Sequence, residues 1–183
     1  SFLFKDDDGK IYLYHVRFNK GNHLWVAEFD LKKGCIKQET LKHILSCTDA
    51  WEMTPNYKSV PIMAGPTVVN WAGIYYMFSS CNHFRNIDYS VGYATATSPY
   101  GPWTKHPNNP IIHKSIVGEN GSGHGDLFKG FDGRYYYVYH VHNTGNNVVP
   151  RKTRIVPLIV TKGQDGIYSV IANKDNIIVP TWE

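Results

Sequence analysis

The chain has 183 residues, of which 42% are hydrophobic and 19% charged, a composition typical of one folded domain rather than of a disordered segment. Its formal net charge is +4, and its basic residues form only two short clusters, at residues 32–33 and 151–154. The sequence therefore has no basic stripe of the kind that nucleic-acid-binding proteins carry. No apolar run approaches the roughly 18 residues of a membrane-spanning helix, and we expect neither nucleic acid nor a membrane as a partner.

Three segments along the chain share one pattern, in which a turn ends in glycine and is followed by an apolar and aromatic run. The segments are KDDDGKIYLYHV (5–16), NWAGIYYMFSS (70–80) and GFDGRYYYVYHV (130–141). In each, a tyrosine stands at the third position after the glycine: Tyr12, Tyr76 and Tyr136. Glycine permits the positive φ of a hairpin turn, and Tyr, Val and Phe favour strands, so each segment predicts a hairpin.

Each repeat continues into a further strand candidate, and helical periodicity is nearly absent. The best helical candidate is the short LKHILSC, residues 41–47. Repeats of this length with several short strands predict propeller blades; a β-sandwich is the alternative, but it does not need the same signature three times. We predict an all-β fold of about three four-stranded propeller blades, at residues 1–50, 51–115 and 116–183.

Three blades are too few for a closed ring, because propellers usually close with four to eight. An open arc would leave an uncovered sheet face at each end. We therefore predict that the remaining blades come from an upstream segment or a partner chain. The cysteines Cys35, Cys47 and Cys81 lie far apart with no CxxC pair, which argues against zinc and leaves room for one disulfide at most.

The order of motifs resembles the five-bladed propeller enzymes of glycoside hydrolase family 43, a family of β-xylosidases, α-L-arabinofuranosidases and arabinanases. The resemblance covers the family's last three blades. It implies inverting hydrolysis of xylosyl or arabinofuranosyl bonds in plant polysaccharides, and a secreted or periplasmic location. The matching stretches are SFLFKDDDGKIYLYHV, IMAGPTVVNWAGIYYMFSS, YSVGYATATSPYGPW, NNPII, GSGHGDLF and YYYVYHVHN.

One residue departs from the family pattern at the point where the chemistry is most demanding. The family reads Glu-Gly-Pro, and its glutamate is the general acid that protonates the leaving glycosidic oxygen; this chain reads Ala64-Gly65-Pro66. Taken alone, Ala64 is a small residue in a tight corner. Within the resemblance it marks a catalytic acid that was removed by engineering or lost naturally, which predicts an inactive enzyme.

The resemblance places the family's other two carboxylates outside this chain. The general base is an aspartate on the first blade, and a third aspartate, which tunes the acid, stands just before the residue that matches Ser1. Asp6, Asp7 and Asp8 are not substitutes for it, because they precede Gly9 in a hairpin turn, where aspartate is ordinary turn chemistry.

Further site residues follow from the resemblance. His124 matches a histidine near the propeller axis that faces a bound cation through water, which implies a structural calcium; the alternative is a hydrogen-bonded histidine at a strand start. Arg151 matches an arginine that reaches the substrate, with Arg154 as the alternative. Phe84 stands where the family places an aromatic wall against the sugar, and Asn82 and His83 share its loop.

Two interpretations of the chain stay open. One is an acid-deleted glycosidase; the other is a non-catalytic carbohydrate-binding propeller that kept the pocket and lost the acid. The tryptophans are expected to pack between blades rather than to contact a ligand: Trp25, Trp51, Trp71, Trp103 and Trp182.

Overall fold

The computed structural model describes residues 1–181, which form three antiparallel β-sheets in succession along the chain. The first sheet contains β1 (Phe2–Lys5), β2 (Ile11–Phe18), β3 (Asn22–Asp30), β4 (Cys35–Ile36) and β5 (Lys42–Leu45). The second contains β6 (Met63–Trp71), β7 (Ile74–Cys81), β8 (Ser90–Ala96) and β9 (Thr104–Lys105). The third contains β10 (Gly123–Lys129), β11 (Tyr135–Val141), β12 (Lys152–Lys162) and β13 (Tyr168–Ala172).

Helical structure is confined to short segments: α1 (Lys114–Val117) and the 3-10 turns Gln38–Thr40, Ala50–Glu52 and Lys174–Asn176. Within residues 1–181 no helix has the length and apolar character needed to cross a bilayer. The second and third sheets run in simple meander order, β6-β7-β8-β9 and β10-β11-β12-β13. This arrangement confirms the predicted all-β partial propeller.

The first sheet corrects the expectation for residues 41–47. Lys42–Leu45 is not helical; it forms β5, which pairs with the edge of β3 opposite to β2, so this sheet has five strands rather than four. The edge of β3 offers unpaired backbone groups, and Leu45 is buried in the core opposite Leu24. A helix of so few residues is only marginally stable by itself, so pairing with β3 determines the conformation of this segment.

The glycine of each repeat occupies the hairpin between the first two strands of a sheet. Gly9, Gly73 and Gly133 have φ of +83°, +86° and +79°. This left-handed region is open to glycine and costs other residues about 1–2 kcal/mol, which explains why the signature recurs.

The repeated tyrosines show how each sheet packs on the next. Tyr12 belongs to the buried cluster between the first and second sheets, and Tyr76 belongs to the cluster between the second and third. In the third sheet, Tyr137 and Tyr139 face the second sheet, so Tyr136 points away from it and stacks on Phe128 at 5.4 Å between ring centroids. The third sheet therefore presents the same kind of packing face as the other two.

Part of that face is exposed in residues 1–181, although Tyr136 itself is buried by its neighbours, and Leu3 is exposed on the outward face of the first sheet. Ile159 and Ile171 pair across β12 and β13 and are 44% and 50% exposed. Strands of the first and third sheets make no extended contact with each other among these residues. The first strands of the sheets, β1, β6 and β10, contact one another in turn and form the inner edge of the arc.

Candidate functional site

Ala64 lies near the start of β6, the inner strand of the second sheet, opposite Ser80 of β7. A bulge separates Ala64 from Thr67, and Gly65 within it has φ of +63°. Ala64 is partly exposed rather than enclosed in the aliphatic core. The side chain of residue 64 therefore stands at the open end of the inner strand.

His124 is held directly beside this position. Its backbone N–H donates to Oγ of Ser80 at 2.8 Å, and its Nδ1 lies 3.2 Å from the hydroxyl of Tyr89. A Cβ added to Gly65 would lie 3.2 Å from the imidazole, so glycine allows the ring to sit against β6. The structure thus brings His124 and Ala64 together at one end of the inner strands.

The glycines on either side of His124 have a steric reason. A Cβ on Gly123 would lie 2.6 Å from the ring of Tyr89, and one on Gly125 would lie 1.7 Å from the carbonyl oxygen of Val138. His124 itself has φ of +46°, an unusual conformation for a residue with a side chain. This backbone fixes the exposed imidazole at the inner edge of the arc.

Arg151 and Phe84 meet at the same end of the molecule, although they belong to different sheets. The guanidinium carbon of Arg151 lies 5.3 Å from the centroid of the Phe84 ring. Nη1 of Arg151 donates to Nε2 of His140 at 2.7 Å. The alternative arginine, Arg154, is buried and forms two 2.8 Å hydrogen bonds with the carboxylate of Glu119, so its guanidinium is committed to that pair.

The electrostatics of this cluster favour neutral imidazoles. His124 is exposed as a residue, but its ring lies against Gly65 and Tyr89; this partial desolvation, and then the charge of Arg151, lower the pKa of His124. The same two causes, with His124 and His142, lower the pKa of His140 to about 3. Because Arg151 donates to Nε2, the proton of His140 resides on Nδ1, a buried atom without a partner in residues 1–181. His140 is therefore an uncharged group with one free N–H.

Asn82 lies next to the site, but its amide is engaged within the protein. Its Oδ1 accepts from the N–H of Thr54 at 2.9 Å, and its Nδ2 donates to the carbonyl oxygens of Trp51 and Asp88 at 2.8 and 3.0 Å. The residue is buried with φ of +72°. These bonds anchor the segment before β6 against the loop after β7; contact of Asn82 with a substrate stays a prediction. His83 is half-buried and stacks on Phe84 at 4.7 Å.

Three site residues were missed in the sequence: Ser80, Tyr89 and His140. Each stands in or beside a strand whose apolar run reads as core, and only the tertiary structure shows which end of the strand is open. His140 could have been identified from the sequence, because a polar residue within the aromatic strand YYYVYHV needs a hydrogen-bond partner.

The remaining aspartate, tryptophan and cysteine residues that the sequence singled out make contacts within the protein. Asp6 accepts from the hydroxyl of Tyr75 at 2.7 Å, and Asp8 accepts from the N–H of Lys10 in the hairpin. Trp71 is buried between the second and third sheets, Trp51 and Trp103 pack between the first and second, and Trp25 lies under Arg17. Trp182 lies outside the described residues. No disulfide forms in residues 1–181, and Cys81 is the buried thiol of the three.

Three blades in an arc define a partial β-propeller, and imidazole, guanidinium and aromatic groups gather at one end of it. A family model described as "Glycosyl hydrolases family 43" matches residues 1–166. The chain belongs to this family.

Relatives agree with this assignment. A β-D-galactofuranosidase of Aspergillus niger is 31% identical over 138 residues, which are 75% of this chain and 35% of that protein. A solved structure described as an endo-1,4-β-xylanase of Bacteroides thetaiotaomicron has a TM-score of 0.87 at 36% identity, and covers 98% of this chain and 59% of its own. A thermostable family-43 glycoside hydrolase has a TM-score of 0.80 at 30% identity, with coverage of 94% and 56%. The chain thus spans little more than half of these structures, and about a third of the curated relative.

Proposed function

We propose that the protein carrying this chain belongs to a glycosidase that acts, with inversion, on xylosyl or arabinofuranosyl bonds of plant polysaccharides, and that Ala64 occupies the position of its general acid. The observation that carries the proposal is the place of Ala64: the open end of an inner strand, beside His124 and Ser80, in a chain of this family. Extracellular location follows from such a substrate and is part of the proposal.

The proposed chemistry needs two carboxyl groups on opposite faces of the sugar. A carboxylic acid at position 64 would protonate the leaving oxygen, while an aspartate from a blade outside residues 1–181 would activate water, with roughly 6.5–9.5 Å between the two groups. The methyl group of Ala64 has no proton to give. The chain therefore lacks the acid that would protonate a poor leaving group, and we expect it not to cleave bonds of that kind.

The residues present would bind and orient the sugar. Phe84 is partly exposed, and the part of its ring that His83, Arg85 and Arg151 leave open would contact the C–H groups of a sugar, while Arg151 would offer guanidinium N–H donors. His124, whose pKa is lowered, would offer a ring nitrogen to the ligand, whereas His140 would act only through Arg151, because its Nε2 accepts from that residue and its Nδ1 is buried. The named activities of the relatives, xylanase and galactofuranosidase, support a glycan substrate and leave the sugar to be determined by assay.

The uncovered sheet faces support the proposal that further blades complete the propeller. Tyr136 occupies in the third sheet the place that Tyr12 and Tyr76 occupy against a following sheet. The apolar pair Ile159 and Ile171 extends that face. We propose that blades from an upstream segment or a partner chain pack on it and supply the missing carboxylates.

The implied calcium has little direct support from these residues. No cluster of three His, Cys, Asp or Glu side chains converges in residues 1–181. A cation near His124 would therefore be held through water, as the resemblance implies, and no step of the proposed chemistry uses it.

The second candidate is a carbohydrate-binding propeller without catalysis, which Ala64 itself favours. An assay of glycan hydrolysis by the full-length Ala64→Glu variant distinguishes the glycosidase from the binding module. Ala64→Gln is the control, because its side chain has the same size and lacks an acidic proton. Product release from xylan or arabinan oligosaccharides by Ala64→Glu alone supports the glycosidase. Sugar binding by all three proteins with no product from any of them supports the binding module.

A further inference from the structure

Two of the three cysteines lie together, although they belong to different sheets. Cys81 is the last residue of β7 and is fully buried. Cys47 follows the end of β5 by two residues, is partly buried, and packs on the cluster between the first and second sheets that contains Cys81. Cys35 is exposed and pairs with Asp30 at the opposite end of β3 from β5's Leu45. Cys47 and Cys81 are therefore the pair that connects two sheets.

The carboxylate of Glu52 fixes the approach of these two cysteines. It is buried, and its Oε2 accepts from the backbone N–H of Thr48, the residue after Cys47, at 2.7 Å. Its Oε1 accepts from the thiol of Cys81 at 3.8 Å. Nζ of Lys105, on β9 of the second sheet, also bonds to Oε2. One carboxylate thus holds the loop that carries Cys47 against the strand that carries Cys81.

The two thiols differ in access to solvent and in acidity. Burial, and then hydrogen bonding with the Cys47 thiol, raise the pKa of the Cys81 thiol well above its usual range. Cys47 is partly exposed and belongs to a loop rather than to a strand. Because the thiolate is the reactive form and needs access to its reagent, Cys47 is the thiol that an external oxidant reaches first.

We propose that Cys47 and Cys81 form a disulfide bond when the protein meets a low-molecular-weight disulfide. The sulfur of Cys47 attacks one sulfur of that oxidant, breaks its S–S bond and forms a mixed disulfide, and the first small thiol leaves. The sulfur of Cys81 then attacks Sγ of Cys47, and the second small thiol leaves. The two protons that the cysteines lose end on the two released thiols, and Glu52 is placed to receive the proton of Cys81 in transit. The cysteines lose two electrons, and the oxidant gains them.

The bond would brace the strand end that carries position 64. Cys81 pairs with Met63, and the next pair along β6 and β7 is Ala64 with Ser80. Residues 48–80 lie inside the closed loop, so the bond would restrict them in the unfolded chain and stabilise the folded state. The inference goes beyond the proposed function, because it applies equally to a glycosidase and to a binding module.

Peptide mapping of the full-length protein tests the bond directly. The protein is incubated with oxidised glutathione, unfolded in N-ethylmaleimide to block free thiols, and digested with trypsin. Cys47 and Cys81 fall in different tryptic peptides, 43–58 and 59–85, and Cys35 falls in 34–37. We expect 43–58 joined to 59–85, separated again by dithiothreitol, with 34–37 outside the link.

Thermal unfolding measures the effect of the bond on stability. We expect the oxidised parent to melt roughly 5 °C above the reduced parent. Cys47→Ser should show no such rise, and it leaves the buried Cys81 and its packing in place. Cys35→Ser is the matched control, since it removes an exposed thiol of another strand and should gain as the parent does.

The two measurements can each contradict the proposal. Recovery of 43–58 and 59–85 as separate peptides after oxidation, or a link of either one to a different cysteine, overturns the Cys47–Cys81 bond. A rise in melting temperature that persists in Cys47→Ser overturns the stabilising role of this bond. Neither result bears on the proposed function, because hydrolysis by Ala64→Glu is assayed on the reduced protein.

Discussion

Nη1 of Arg151 donates a 2.7 Å hydrogen bond to Nε2 of His140, and this bond joins the residue just before β12 to the end of β11. The bond requires the lone pair of Nε2, and the guanidinium repels a second positive charge. Burial is the larger cause, and together these effects lower the pKa of His140 to about 3. The imidazole is therefore a fixed, neutral element of the site.

This pKa predicts a pH dependence of stability. The folded-state value lies below the unfolded value of about 6.5, so protonation favours the unfolded chain. The stabilisation is complete above pH 6.5 and is lost as the pH falls toward 3, at most about 3 kcal/mol between pH 7 and pH 4. In His140→Gln the free energy of unfolding should fall less over this range, which denaturant titration measures. An NMR titration that shows His140 protonating near pH 6.5 would contradict the assignment.

Gly65→Ala should lower stability and disturb the site together. The residue has φ of +63°, and an added methyl would lie 3.2 Å from the imidazole of His124. The left-handed backbone conformation alone costs an alanine about 1–2 kcal/mol. Gly9→Ala is the matched control, since Gly9 has φ of +83° and open space around its Cβ position. We expect both variants to lose stability, and only Gly65→Ala to lose sugar affinity; equal affinity in the two would show that His124 does not contact the ligand.

Arg154→Ala should destabilise the third sheet by about 3 kcal/mol, because a buried guanidinium with two hydrogen bonds to Glu119 is lost. Lys152→Ala, on the same strand but exposed, should change the free energy of unfolding by less than about 0.5 kcal/mol. Comparison of urea midpoints measures both. Equal midpoints would mean that the Arg154 pair contributes nothing to stability.

Ile159→Lys with Ile171→Lys should make the isolated chain more soluble and prevent its assembly with the remaining blades. The two side chains form an exposed apolar pair on the free face of the third sheet, where a charge is tolerated in water but not under a packed sheet. Size-exclusion chromatography of the separately expressed parts measures assembly. Unchanged assembly of the double variant would place the missing blades elsewhere.

The sequence was sufficient for the architecture because its signals were local. Gly9, Gly73 and Gly133 marked the hairpins, and the tyrosines that follow them lie at the sheet faces as strand periodicity requires. Residues 41–47 were the exception, since their pairing with β3 depends on an edge that no local pattern reveals.

The candidate site was less predictable because it is assembled from long-range contacts. Arg151 and His140 bond across two strands, and Tyr57 stacks on His83 from a loop 26 residues earlier. Neither contact has a spacing that marks it in the sequence. The sequence likewise could not decide which arginine faces the site. In the structure Glu119 binds Arg154, and Arg151 lies at the open end.

The leaving-group dependence of Ala64→Glu tests the central claim most directly. In the full-length protein, kcat/KM would be measured for Ala64→Glu and its parent on a natural oligosaccharide and on an aryl glycoside with an acidic phenol leaving group. General acid catalysis predicts a gain of roughly 10²–10⁴-fold on the oligosaccharide and a much smaller gain on the aryl glycoside, whose leaving group needs little protonation. Equal gains on both substrates, or no gain on either while the sugar still binds, would contradict the assignment of position 64 as the general acid.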